Sequence, residues 1–458
     1  MSSKKQLDYF FMPESVAIIG ASRTPKKIGH VIFRNFIESK YKGKLFPVNP
    51  KAKKIFGLDC YGSVRDIKGS VDLAVIAIPA EFVPAALEQC GRKGIPAAII
   101  ISSGFKEVGN TGLENRLKGI AKKHGIRLIG TNCIGVYDPY SGVDTFFLPP
   151  YKLERPGPGH MALISQSGAL GSVMLDWMSM KDYKISKFIS YGNATDVDES
   201  DLIEYLAEDK KTKVICAYFE GVTDGRKMFN IAKRCSKKKP IIVIKGGKTS
   251  EGTSAVSSHT GSLAGESSVY SAAFLQSGMV EADTLEQAFD FARVLGTQPV
   301  PAGNRVQIIT DGGGFGILTT DWMIKNGLRL AKMGPESLNK IRRVCPSYAV
   351  LKNPIDLTGD ATVERYAVAI RSAIDDPNVD MIALIILFQI PTLTAEIVDV
   401  VSELSEKSKK PIVVISAGGR FTEVLKKPLE NNGVPCFSYP SDAAQALCAL
   451  YRYWRRMK

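Results

Sequence analysis

Short, continuously apolar runs that end near glycine and give way to amphipathic stretches set the tightest limit on what this chain can fold into. They include SVAIIG (Ser15 to Gly20), VDLAVIAIPA (Val71 to Ala80), AAIIISS (Ala97 to Ser103) and RLIG (Arg127 to Gly130). Further along come MALIS (Met161 to Ser165), IIVIKG (Ile241 to Gly246), VQIITD (Val306 to Asp311) and PIVVISA (Pro411 to Ala417). A strand apolar on both faces must be covered on both faces, so the rhythm predicts an α/β protein with parallel sheets between helices. Two Pro/Gly-rich stretches, Leu148 to Met161 and Gly296 to Arg305, interrupt it. They divide the 458 residues into three α/β units of ordinary domain size, 1–147, 148–298 and 299–458.

Composition narrows the function classes. The best apolar runs, such as MIALIILF (Met381 to Phe388), are strand-length, so no membrane span is expected. The N-terminus, MSSKKQLDYFFMPES, lacks a signal-peptide core, which predicts a cytoplasmic protein. Eight cysteines without CxxC pairs read as reduced thiols, and with only four histidines no metal site is expected. The net charge of +14 is spread along the chain, densest at Lys237 to Lys239 and Arg452 to Lys458. That distribution argues against nucleic acid and for a polyanionic small ligand.

Each unit opens with a strand, a glycine-containing turn and a helix: GASRTPKKIGH (Gly20 to His30), SQSGALGS (Ser165 to Ser172) and DGGGFGILT (Asp311 to Thr319). Such a turn places free backbone N–H groups and the positive end of a helix dipole at the carboxyl edge of the sheet, which suits a phosphate. A single turn of this kind is also explained by close helix–strand packing; three in one chain favour ligand binding. The dinucleotide fingerprint is absent, because Ala21 and Ser22 follow Gly20, and the P-loop is absent, because Ile242 stands where its first glycine belongs.

Ser22, Arg23, Lys26 and Lys27 crowd the first turn with positive charge, as a ligand with several phosphates, CoA for example, would require; a solvated basic loop is the alternative. The segment GTSAVSSHTGSLAG (Gly252 to Gly265) holds His259 among small residues, in what reads as a mobile loop open to a large anion. Histidine can attack phosphorus near neutral pH, yet a plain surface histidine fits the same segment, and the residues alone leave both readings open. Glu220, after the apolar run VICAYF (Val214 to Phe219), stands at a strand end. It is either a turn glutamate or the acceptor that orients one ring nitrogen of His259.

Taken in order, these motifs resemble the α subunits of the nucleoside-diphosphate-forming acyl-CoA synthetases, specifically the archaeal-type ADP-forming acetyl-CoA synthetases. More distantly, they are similar to the α subunit of succinyl-CoA synthetase. The resemblance rests on VAIIGASRTPKKIG (Val16 to Gly29), FPVNPK (Phe46 to Lys51), ISSGF (Ile101 to Phe105), GTNCIG (Gly130 to Gly135) and ISQSGALG (Ile164 to Gly171). It continues through SYGNATDVDESDLIEYLAEDKKTK (Ser190 to Lys213), YFEG (Tyr218 to Gly221), SSHTGSLAG (Ser257 to Gly265), DGGGFG (Asp311 to Gly316) and NPIDLTG (Asn353 to Gly359).

The resemblance implies a Rossmann-like CoA-binding domain followed by two flavodoxin-like CoA-ligase domains. It makes His259 the phosphorylated histidine and Glu220 its orienting carboxylate. Gly20, Ser22, Arg23, Lys26, Asn49, Lys51, Ser102, Ser103 and Gly104 match the edge that binds CoA or acetyl-CoA. Asn132 and Cys133 match a segment near the thiol, where Cys133 is read as a packing residue. Two helix starts, Ser165-Gln166-Ser167-Gly168 and Gly312, Gly313, Gly314 and Gly316, match those that hold phosphate and phosphohistidine. ADP or ATP with Mg²⁺ is expected on a separate ATP-grasp β subunit, in an α₂β₂ assembly, because no such module follows the third unit. The rival readings are a non-catalytic CoA-binding regulator and a nicotinamide-dependent dehydrogenase. The acid is left open, with acetate the default.

Overall fold

The apolar runs form strands whose side chains are buried throughout: Ser15–Ile19, Leu73–Ile76 and Ala97–Ile100 have no exposed residue. In the computed structural model, residues 3–260 and 266–457 are described, with side chains for 6–256 and 266–457. The chain forms two compact units, Met1–Asp283 and Thr284–Lys458.

The first unit holds two large sheets and a two-stranded ribbon, Lys54–Ile55 against Leu58–Asp59. One is five-stranded and parallel, in the spatial order Lys44–Val48, Ser15–Ile19, Leu73–Ile76, Ala97–Ile100, Arg127–Gly130. The strand order reverses between Ser15–Ile19 and Leu73–Ile76, so their carboxyl ends open a crevice where doubly wound folds bind ligands. The second sheet is seven-stranded, in the order Val280–Ala282, Ile241–Lys245, Val214–Phe219, Pro158–Ser165, Ile185–Ser190, Gly135–Asp138, Val143–Asp144. Its first five strands are parallel, and the hairpin 135–144 closes one edge antiparallel. Here the order reverses between Pro158–Ser165 and Val214–Phe219, the strands that lead into Gln166 and Glu220.

The second unit repeats the plan with parallel strands Arg329–Leu330, Arg305–Thr310, Met381–Ile385, Ile412–Ile415 and Cys436–Phe437, with Ile355–Asp356 beside Arg305–Thr310. The chain enters this unit at helix Leu285–Thr297, ahead of the Pro/Gly-rich stretch. Buried Arg293 ties that helix to Glu430 and to the Cys436 carbonyl at 3.1 Å, and Gln298 bridges the Gly433 carbonyl and the Ile412 amide, both at 2.8 Å.

Residues 252–260, the first part of the segment read from the sequence as a loop, belong to helix Ser250–Thr260. Thr249 caps the start, its Oγ1 accepting from the Gly252 amide at 3.0 Å, and buried Val256 anchors the helix. His259 lies on this helix; its side chain, and residues 261–265, lie outside the described residues. Among the described residues no helix is long and apolar enough to cross a membrane.

Candidate functional site

The first glycine turn is shaped by two close approaches. Gly20 has φ +95°, and a side chain there would lie 2.3 Å from the Ala77 carbonyl oxygen. A side chain at Gly29 would lie 1.9 Å from the Gly20 carbonyl oxygen, so helix Ile28–Glu38 rests directly on the turn. Asn49 holds the turn from the neighbouring strand end: its Nδ2 donates to the Ala21 carbonyl at 2.8 Å and its Oδ1 accepts the Lys51 amide at 2.9 Å. Between these glycines, Arg23, Lys26 and Lys27 are exposed.

At the second turn Ser167 caps helix Gly168–Met180. Its hydroxyl accepts the Leu170 amide at 3.2 Å and its carbonyl the Gly171 amide at 3.0 Å. The two remaining first-turn residues, Gly168 and Ala169, face a cavity. Gln166 is oriented without ambiguity, because its Oε1 accepts from the amides of Glu220 at 2.7 Å and Gly221 at 3.1 Å. Its Nε2 is thereby left as the donor end.

One cavity of about 880 Å³ gathers these parts. Gly20, Ser22, Lys26 and Asn49 line it from the first turn, and Ser102, Ser103, Asn132 and Cys133 from the neighbouring strand ends. Gln166, Ser167, Gly168 and the buried Glu220 complete it from the second sheet. Arg23, Lys51, Gly104 and Ser165, expected in the same site, are not part of its wall. Cys133 donates to the Ile100 carbonyl at 3.5 Å, and burial pushes its thiol up to about 12, the state of a packing residue rather than a nucleophile.

The sequence reading missed Lys106 and Asn193, which also line this cavity. Lys106 Nζ donates to the Asn193 carbonyl at 2.5 Å and stands 3.9 Å from the buried Glu114 carboxylate; burial pulls its pKa down. Asn193 Nδ2 reaches Glu107 at 2.6 Å and Thr131 at 3.0 Å. Helix Ser250–Thr260, which carries His259, packs on the short turn Lys106–Val108 and so approaches this side of the cavity. The signal in the sequence was a lysine directly after ISSGF, which was passed over, and an asparagine inside the stretch Ser190 to Lys213, which was read only as a landmark.

Glu199, whose charge is felt at Lys106, opens helix Glu199–Glu208 and is 1 % exposed, its Oε1 without a hydrogen-bond partner among the described residues. Burial raises its carboxyl from 4.5 to about 7, with Asp198 and Asp201 adding and Lys227 opposing. The folded state therefore binds this proton more tightly than the unfolded chain. The resulting stability is present in full below pH 4.5 and is lost as pH rises through about 7. At its plateau the loss is about 3 kcal/mol. Glu199→Gln is expected to flatten this dependence and to stabilise the chain at pH 8, as read from melting curves between pH 5 and 8.

In the second unit Gly312 precedes helix Gly313–Lys325, and Thr310 Oγ1 accepts the Gly312 amide at 2.9 Å. Asp311, whose oxygens accept the Leu387 amide at 3.0 and 3.1 Å, is pushed by burial to about 6. A side chain at Gly313 would lie 3.2 Å from Asp356 Oδ2. With two carboxylates beside it, this helix start is a poorer anion site than the one at Ser167.

Family profiles match in the same order as the sheets: a CoA binding domain over residues 14–139, a succinyl-CoA ligase like flavodoxin domain over 158–295, and a ligase-CoA domain over 306–458. The chain is 42% identical over 452 residues to the acetate–CoA ligase [ADP-forming] II subunit alpha of Pyrococcus furiosus, covering 97% of each chain. It is 44% identical over 462 residues to the I subunit alpha of the same organism, covering 99% of this chain and 98% of that one. The solved structure of the dinucleotide forming acetyl-coenzyme A synthetase 1 of Ca. Korarchaeum cryptofilum, in complex with phosphate and ADP, superposes with a TM-score of 0.92 at 38% identity, over 98% of this chain and 97% of that one. The chain belongs to the alpha-subunit family of the ADP-forming acetate–CoA ligases.

Proposed function

We propose that this chain handles CoA and the acid in an ADP-forming acyl-CoA synthetase, acetate being the default acid. With a partner subunit it interconverts acyl-CoA, ADP and phosphate with acid, CoA and ATP. The observation that carries the reading is the shared cavity, which brings the basic turn, the Ser167-capped helix start and Glu220 together. Family membership favours this over a non-catalytic CoA-binding regulator.

Lys26 and Lys27 meet the phosphates of CoA at the first turn, and Asn49 keeps that turn in shape. Inorganic phosphate sits at the amides of Gly168 and Ala169 with Gln166 Nε2 beside it. It attacks the thioester carbonyl: a C–O bond forms, the C–S bond breaks, and CoA leaves as a thiolate that takes up a proton. His259 then attacks the acyl phosphate, forming an N–P bond and breaking the P–O bond to the carboxylate, which leaves as the free acid. Glu220 accepts a hydrogen bond from the other ring nitrogen and offsets the positive charge of the phosphorylated ring. The Gly312–Gly316 turn is a separate candidate for holding the phosphoryl group, supported by the family resemblance.

The chain works as three functional domains, 1–147 for CoA, 148–298 with the histidine and 299–458. Nucleotide and Mg²⁺ belong to an ATP-grasp β subunit in an α₂β₂ assembly in the cytoplasm. Incubated with acetyl-CoA and labelled phosphate, the chain should take label at His259, mapped by mass spectrometry. It should bind CoA but not ADP, and form ATP only when the β subunit is added. Absence of label at His259 overturns the mechanism; ADP binding or ATP formation by this chain alone overturns the division of labour.

A further inference from the structure

Lys245 closes the otherwise apolar strand Ile241–Lys245, in register with Phe219, and is 3 % exposed. An ammonium taken out of water is costly unless acceptors surround it, and a methionine of similar length would pack here without that cost. The acceptors explain the lysine. Nζ donates to the Glu220 carbonyl at 2.8 Å and to the Gly246 carbonyl, and lies 4.7 Å over the Tyr270 ring.

The same short segment is held from two other directions. Gln166 Oε1 takes the amides of Glu220 and Gly221, at 2.7 and 3.1 Å, from the cavity side. Tyr270 Oη takes the Val222 amide at 3.3 Å. Side chains from three elements thus converge on three consecutive residues, far more restraint than a strand end needs in order to turn. What they restrain is the backbone of the one carboxylate that lines the cavity among the described residues.

We propose that Lys245 is a positioning residue for the phosphoryl step: with Gln166 and Tyr270 it clamps the backbone from Glu220 to Val222, so that the Glu220 carboxylate meets the cavity in a single orientation. The inference rests on the role proposed above for Glu220 beside His259. The fields agree with it, since burial pulls the lysine's pKa down while Glu220 pushes it back up. Orientation of this kind matters because a displacement of about 1 Å at a reacting group costs on the order of 100-fold in rate.

The test compares wild type, Lys245→Met and Lys245→Arg as full chains with acetyl-CoA and labelled phosphate. Single-turnover labelling of His259 is measured beside CoA affinity by calorimetry. Lys245→Met should label about 10- to 100-fold more slowly, the usual effect of losing a supporting group behind a functional side chain, with CoA affinity within about two-fold. Lys245→Arg, which can still donate to both carbonyls, should recover most of the rate. Labelling of Lys245→Met at the wild-type rate overturns the inference. So does loss of CoA binding in step with labelling, which would mark a residue of the fold alone. Wild-type chain that takes no label overturns the proposed function and this inference with it; label on the wild type with undiminished label on Lys245→Met overturns the inference only.

Discussion

His259→Asn is expected to abolish ATP formation and labelling by phosphate while leaving CoA affinity within about two-fold of wild type. Asparagine keeps a hydrogen-bonding side chain of similar reach but has no nitrogen able to accept a phosphoryl group, so the covalent step has no substitute. The other three histidines lie elsewhere. His30 meets the Ser22 carbonyl at 3.0 Å beneath the basic turn, His124 pairs with Glu88 at 3.1 Å, and burial lowers the pKa of His160 in strand Pro158–Ser165. None of the three lines the cavity. CoA affinity is spared because the residues proposed to hold its phosphates belong to the first sheet and its turn. Turnover by His259→Asn at even one hundredth of the wild-type rate would require another carrier and remove the phosphohistidine from the mechanism.

The parts of this architecture that were legible in the sequence are those governed by local chemistry. A run such as Val16-Ala17-Ile18-Ile19 can be stable only as a strand covered on both sides, and the glycine that follows is required by the Ala77 carbonyl in contact with it. The parts that were missed depend on tertiary structure. Lys106 and Asn193 are 87 residues apart and meet only because the first two sheets share one compact unit. Residues 252–260 of helix Ser250–Thr260 read as a loop because their glycine, serines and threonines are weak helix formers. The Thr249 cap and the burial of Val256 override that propensity. Lys245 lay inside the run Ile241 to Gly246 and was given no role of its own, since nothing in its neighbours along the chain reveals that the Glu220 carbonyl meets its ammonium.

Gly29→Ala should weaken CoA binding by more than ten-fold and lower the melting temperature, although it adds one methyl group to a helix. Alanine is ordinarily the better helix residue by about 1 kcal/mol, and Gly29 has no left-handed backbone angle to protect. The obstacle is steric. The new carbon would stand 1.9 Å from the Gly20 carbonyl oxygen and 2.7 Å from its carbon, and neither atom belongs to a side chain that could swing away. Helix Ile28–Glu38 must therefore lift from the turn or the turn must move, at a cost of about 1–3 kcal/mol for overpacking of this kind. Either movement displaces Lys26 and Lys27, which lie between the two glycines and supply the charge proposed for the CoA phosphates. Gly119→Ala is the matched control: it lies inside helix Thr111–His124 with nothing within 4 Å of the added carbon. It should stabilise the chain by about 1 kcal/mol and leave CoA binding unchanged. Calorimetry with CoA and a thermal melt on both variants separate the cases. Wild-type CoA affinity in Gly29→Ala would mean that the turn tolerates a shift larger than the contact itself, and that the basic residues need no fixed helix start to hold their ligand.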